Sequence, residues 1–357
     1  MKPIALIRAA ALAPVVSALE TRGARVEALL ERAGLPADAV DHDEQLIPLR
    51  QAFRFLADAA RSERLPELGL IAGEAASIAN LGVLGRLVQR ARTLGEALTT
   101  ISAMAPTFSS GERWWLDVHD AEALLCHTFL DPPSYGHDEA NHYSVAIAIN
   151  ILRTVAGPDW SPPEVRFSTG PVSGLGERTL LRGTRLLFRQ PCNAVAFPSA
   201  LLVRPLPALA TSPGDDLDAW LASAPAVDFA GSVKQLMWSM TSDNGHPRMR
   251  RTAMAVGVSV RTLQRRLAEN GLSFEQLLRA DRLRMAVRYL EQTNARVLDI
   301  ALDLGYSDHA HFTRAFRRWT GLTPLEYRRA WVGRGSGVVR ATRPGIAPTI
   351  TMTTRWP

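Results

Sequence analysis

The residues best placed to act on another molecule stand in two short patterns, GVSVRTLQRRL (257–267) and GYSDHAHFTRAF (305–316). Each sets a glycine, an apolar residue and a serine ahead of a short arginine-bearing helix. On those helices Leu263 and Leu267, or Phe312 and Phe316, form one inward stripe. The outward residues are then Arg261, Thr262, Gln264 and Arg265 in the first pattern and His309, Thr313 and Arg314 in the second. Arginine can make paired hydrogen bonds to guanine and glutamine to adenine in the major groove of a duplex, which admits a helix of this width. These are the candidate base readers. Arg266, Arg317 and Arg318 lie on flanks suited to phosphate contacts, which fix register without reading sequence.

Other reactive residues make weaker constellations. His137 and His142 flank Asp138 and Glu139, but their spacing is not HExxH and puts them on different helix faces. GPVSGLGE (170–177) lacks both GK[ST] and the third glycine of a dinucleotide loop, so it reads as a surface turn. There is no GxSxG, and the Ser, His and Asp residues are too scattered for a triad. Cys126 and Cys192 have no companions at CxxC spacing, which excludes a disulfide scaffold or zinc ribbon and predicts two buried thiols. No catalytic residue, metal or cofactor is expected.

The two arginine-bearing helices need supports. Gly257 and Gly305 supply a turn conformation that a β-carbon resists, and Ser259, and Ser307 or Asp308, can cap the helix that follows. Ala-rich helices over 251–256 and 297–304 come before, so each unit is helix, tight turn, helix. One long helix over 274–292, with Leu283, Val287 and Leu290 on a stripe, would hold the units apart. At a separation of roughly 34 Å, both could enter successive major grooves.

Upstream, residues 1 to about 105 read as helical. A first amphipathic helix is expected over 9–34, stopped at Gly34 before Pro36; the rival reading makes Lys2, Arg8 and apolar 9–19 a secretory leader. Helical periodicity returns over 51–61 and 81–104. RWWLDV (113–118) and ALLCHTFL (123–130) predict a hairpin with Trp114, Leu116 and Val118 on one face. Of Trp114 and Trp115, one should face the core and the other a surface or pocket. A helix over 138–156 and strands at 164–168, 185–189 and 194–197 complete an α+β region.

The chain has 357 residues, of which 46% are hydrophobic and 21% charged, so it is globular and long enough for two or three domains. Its longest near-apolar run, 145–152, is far too short to span a bilayer, and no membrane crossing is expected. Charge is uneven. Residues 233–357 hold 21 Lys+Arg against 9 Asp+Glu, which leaves 20 against 26 upstream. A basic C-terminal third predicts a polyanionic partner for that part.

The stretch 231–331 resembles the paired helix-turn-helix domain of the AraC/XylS transcription regulators. Gly305, Phe312, Phe316, Gly321, Pro324, Tyr327 and Arg328 stand at the family's signature spacings. The first unit fits through Ser259, Leu263, Arg265 and Leu267, although Asn270 and Gly271 close its helix one residue sooner. LGVLGRLVQRARTLGEAL (81–98) and FRQPCNAVAFPSALLVRPLP (188–207) resemble the large arabinose-binding-domain-like sensor of one branch. The expected architecture is multidomain: an α+β effector-sensing or dimerisation domain over 1–208, a linker over 209–230, an all-α domain with two helix-turn-helix units over 231–331, and a disordered tail over 332–357. By resemblance the protein is a cytoplasmic homodimer that binds promoter DNA and a small organic effector. We expect an activator that works with RNA polymerase. The alternatives are an enzyme-like N-terminal domain with a regulatory DNA-binding tail, or a domain that only dimerises.

Overall fold

The computed structural model describes residues 2–172, 174–207, 217–240 and 248–335. Backbone contacts group the chain into two compact units, Met1–Asp281 and Arg282–Pro357.

The first unit opens on a strand. β1 (Leu6–Arg8) pairs antiparallel with β2 (Leu46–Pro48), Ile7 opposite Ile47. A 3-10 turn over Ala9–Leu12 leads into α1 (Ala13–Glu20), and a turn with Gly23 at φ +72° precedes α2 (Val26–Ala33). The single helix expected over 9–34 is therefore a strand exit and two helices, because the turn at 21–23 redirects the chain so that both apolar stripes reach the core. Gly34 does end α2, at φ +81°.

Next come α3 (Leu49–Ser62), α4 (Leu68–Ala75), α5 (Gly82–Gln89) and α6 (Leu94–Phe108). The helical stretch expected over 81–104 is split at 90–93. There Thr93 caps α6 by accepting from the Glu96 N–H at 3.3 Å, and the Glu96 carboxylate accepts from the Arg92 N–H at 2.8 Å.

β3 (Glu112–His119) and β4 (Glu122–Phe129) form the expected hairpin, with Trp114 opposite His127 and Leu116 opposite Leu125. After α7 (His137–Ala156) come β5 (Glu164–Arg166), β6 (Arg185–Leu187) and β7 (Asn193–Pro198). The sheet order is β3-β4-β7-β5-β6, antiparallel except for the β5–β6 pair. Trp114 and Leu116 pack on the main core, which the helices complete. Trp115 points the other way, onto a small cluster of Leu124, Cys126, Ala194 and Ala196. Cys126 is buried as expected, whereas Cys192 is only half-buried.

The proline-rich stretch expected as a linker contains a short helix, α8 (Leu217–Ala222), whose Trp220 is buried. Residues 209–216 lie outside the described residues. The rest is helical: α9 (Phe229–Met240), α10 (Met249–Val256), α11 (Val260–Ala268) and α12 (Phe274–Gln292). Phe229, Val233, Met237, Ala253, Leu263 and Leu267 make a core of their own within the first unit.

The second unit joins the later part of α12 to α13 (Val297–Asp303), α14 (His309–Thr320) and α15 (Pro324–Gly335). Ala286 and Leu290 of α12 pack there with Ile300, Leu304, Phe312 and Phe316. α15 runs past Trp331, where the tail was expected to begin; residues 336–357 lie outside the described residues. Among the described residues no helix is long and apolar enough to cross a membrane.

Candidate nucleic-acid interface and an apolar cavity

The first helix-turn-helix unit is α10, a turn and α11. Gly257 ends α10 at φ +76°, a conformation that strains any residue with a β-carbon, and Ser259 then caps α11 by accepting from the Thr262 N–H at 3.1 Å. Leu263 and Leu267 are fully buried, which forces Arg261 and Arg265, half a turn away, into solvent. Gln264 is also exposed, while Thr262 is half-buried. Arg265 pairs with Glu269 on the same helix at 2.5 Å. Both partners are well exposed, so the pair holds Arg265 by only about 0.3–0.5 kcal/mol. Arg266 is half-buried, with its guanidinium 5.7 Å from the centre of the Phe229 ring. That stacking ties α11 to α9.

The second unit repeats the plan with a different cap. Gly305 stands at φ +71°, and Asp308, not Ser307, accepts from the His311 N–H at 2.7 Å. That bond, helped by the Ser307 hydroxyl and the Ala310 N–H, keeps the Asp308 carboxyl below the usual range. Phe312 and Phe316 are fully buried, so Arg314 lies outward with His309, Arg317 and Arg318, and Thr313 is half-buried. Arg265 and Arg314 occupy equivalent positions on helices capped by Ser259 and Asp308. α11 has nine residues and α14 twelve, a larger difference than the one-residue offset of Gly271 and Gly321 implied.

The remaining signature residues serve the fold of this unit. Gly321 ends α14 at φ +80° and Pro324 opens α15. Thr323 and Glu326 cap it reciprocally, with N–H to oxygen distances of 2.7 and 3.3 Å. The Tyr327 hydroxyl donates to Glu291 at 2.9 Å and Arg328 to the Ala295 carbonyl at 2.7 Å, fastening α15 to the end of α12.

In the first unit, residues from the start of the chain and from α3 pack against α9 and the α10–α11 turn. Ile4 packs into the apolar clusters around α9, and its N–H donates to Ser232 Oγ at 3.0 Å. Gln45 donates to the Ser239 carbonyl at 2.7 Å. Arg50 of α3 lays its guanidinium in the space a β-carbon at Gly257 would need. Arg8, fully buried, donates to the carbonyls of Thr107, Glu44 and Trp220 and to Ser223 Oγ, and pairs with Glu44 at 3.2 Å. Burial lowers its basicity, and Glu44 opposes that shift. Glu44 also accepts from Trp220 Nε1 at 2.7 Å and from the Val83 N–H at 2.9 Å. None of these contacts was visible in sequence spacing.

Between the inner face of the sheet and α3, α6 and α7 lies an apolar cavity of about 80 Å³. Ala11, Ala52, Ala105, Ala140 and Ser144 make its room, and Phe53, Phe108, Trp114 and Phe129 form aromatic walls. Glu112 lines it too, its Oε2 2.9 Å from His127 Nε2. His127 Nδ1 lies 3.3 Å from Asn193 Nδ2, which donates to Asn141 Oδ1 at 2.5 Å. Tyr143, whose hydroxyl donates to the Ala11 carbonyl at 2.9 Å, is pushed far up by burial and by Glu112.

His137 and His142 do lie apart. His137 packs edge-on against Phe53 and Phe129, and His142 against Phe167. Among the described residues no three His, Cys, Asp or Glu groups converge as metal ligands would. Burial, then Cys192, pushes the Cys126 thiol up to about 12, which keeps it a protonated, unreactive group.

Burial also pushes His142 down to about 4 from an ordinary 6.5. Its Nε2 lies 3.4 Å from Thr169 Oγ1, and Nδ1 has no partner among the described residues. Between those two values the unfolded chain binds a proton that the folded one refuses, so stability falls as pH drops through that window, by on the order of 3 kcal/mol. In thermal melts from pH 7.5 to 4.5, His142→Phe should flatten the acid decline. A variant that declines as steeply as the parent would place the acid sensitivity elsewhere.

Two helix-turn-helix units appended to an α+β domain define a DNA-binding transcription regulator. The profile of the arabinose-binding domain of AraC transcription regulators matches residues 23–206, and a helix-turn-helix domain profile matches 252–330. The chain belongs to the AraC family of transcription regulators. It is 28% identical over 270 residues to the ornithine utilization regulator of Pseudomonas aeruginosa, covering 74% of this chain and 79% of that one. With the regulator VirS of Mycobacterium tuberculosis it shares 47% identity over 68 residues, 19% of this chain and 20% of the other. The crystal structure of the regulator CdpR from Pseudomonas aeruginosa aligns over 88% of this chain and 96% of that one, with 20% identity and a TM-score of 0.40.

Proposed function

We propose that this regulator reads promoter DNA with both helix-turn-helix units and that residues 1–208 sense a small organic effector, dimerise, or do both. Arg261, Thr262, Gln264 and Arg265 of α11, with His309, Thr313 and Arg314 of α14, contact base edges. Arg317 and Arg318 contact phosphates, and Arg266 divides its charge between a phosphate and the Phe229 ring. The protein acts in the cytoplasm as a homodimer and activates transcription through RNA polymerase. One observation carries the reading: Arg265 and Arg314 stand exposed at equivalent positions, each opposite a fully buried apolar stripe. The relatives that match over most of the chain are named regulators, which favours this reading over an enzyme with a DNA-binding tail.

The experiment is a binding titration against the operator and against unrelated duplex, at several salt concentrations. Arg265→Ala and Arg314→Ala should each cost about 1–3 kcal/mol on the operator and relax base preference at one half-site. Arg317→Ala should weaken both DNAs alike and reduce the salt slope by about one. Equal losses on both DNAs for all three variants would show that Arg265 and Arg314 do not read bases.

A further inference from the structure

We propose that the aromatic-walled cavity of the first unit binds a small organic amine, with its ammonium group on the Glu112 carboxylate. This deepens, and rests on, the reading of residues 1–208 as a sensor. Which atoms donate at the site follows from a chain of hydrogen bonds. The Ser168 backbone N–H can only donate, and it donates to Asn193 Oδ1 at 2.9 Å. That fixes the Asn193 amide with its NH₂ toward His127 Nδ1, which must therefore accept. The His127 proton sits on Nε2 and is donated to Glu112 Oε2. The Nε2–H of His127 thus donates to one Glu112 oxygen.

Glu112 is 9% exposed, and its second oxygen has no partner among the described residues. A carboxylate in apolar surroundings is costly unless a cation meets it. The adjacent cation, Arg113, does not, because strand alternation turns it to the opposite face, where its guanidinium lies 5.2 Å from the Trp115 ring centre. Phe53, Phe108, Trp114 and Phe129 offer ring faces and edges around the same space, the surroundings in which organic ammonium ions are held. A cavity of about 80 Å³ is about half the size of an engineered one that takes benzene, so the body should be an alkyl chain or small ring of about four or five carbons.

The test measures the melting temperature of the full chain at pH 7.5 and constant ionic strength with n-butylammonium, 1-butanol and butyrate. At ten times its Kd the amine should raise Tm by about 3–5 °C, the alcohol by less, and butyrate not at all. Glu112→Gln should erase the preference of amine over alcohol. Ala52→Leu, or Ala105→Val if that variant does not fold, should fill the space and abolish both responses without lowering Tm. An amine response undiminished in either variant, a stronger response to butyrate, or no response to the amine overturns the proposal. A broader metabolite panel separates the two readings. A hit insensitive to the filling variant leaves the sensor and removes this site, whereas no hit at all removes both.

Discussion

Arg8→Met should lower the unfolding free energy of the first unit by about 3–5 kcal/mol, read as a shift in the urea midpoint of the full chain. Most of the loss comes from acceptors rather than from the ion pair. The half-buried Thr107 and Glu44 carbonyls would each lose their Arg8 donor, at about 1–3 kcal/mol for each group left unsatisfied, whereas the Trp220 carbonyl keeps the Ser223 hydroxyl at 2.8 Å. The Glu44 side chain is 36% exposed and keeps its bonds from Trp220 and Val83, so its charge is partly solvated without Arg8. Glu44→Gln should therefore cost clearly less than Arg8→Met. Equal costs would mean that the ion pair, not the set of carbonyls, holds α8 to the sheet-bearing core.

Phe316→Ala should cost a similar 3–5 kcal/mol, but in the other unit. Phe316 is fully buried, with ring centres 5.7 Å from Phe312 and 5.6 Å from Tyr327. A core this small has little reserve, so the substitution should melt α13 to α15 as a group. Amide exchange should then lose protection throughout those helices while β3, β4 and α7 keep theirs, and the footprint on promoter DNA should shrink to one half-site. Uniform loss of protection along the whole chain would show that the two units do not unfold separately.

Local rules carried far where the physics is local. Gly257 and Gly305 had to adopt left-handed turns, and Leu263 and Phe312 had to face inward, because a short helix between such neighbours has few alternatives. Strand alternation separated Trp114 from Trp115 for the same reason. What sequence could not supply depends on long-range contacts. The three-residue strands β1 and β2 lie about forty positions apart, so sequence spacing showed Arg8 only as a cation ahead of an apolar stretch and gave it no partner. Likewise Glu112, His127, Asn141 and Asn193 come from four elements and show no spacing that links them. Thr93 and Gly23 broke helices whose apolar period ran on past them, since periodicity records which face is buried and not whether the chain turns.

Ile4 and Ser232 are 228 positions apart, yet their bond helps close the core beneath α11. At a synthesis rate of about 5–20 residues per second, Ile4 is made roughly 11 to 46 seconds before Ser232. During that interval β1 can already pair with β2, but the apolar Ile4 side chain has no socket. A fragment begun near residue 229 would leave bare the apolar seat that Ile4 fills.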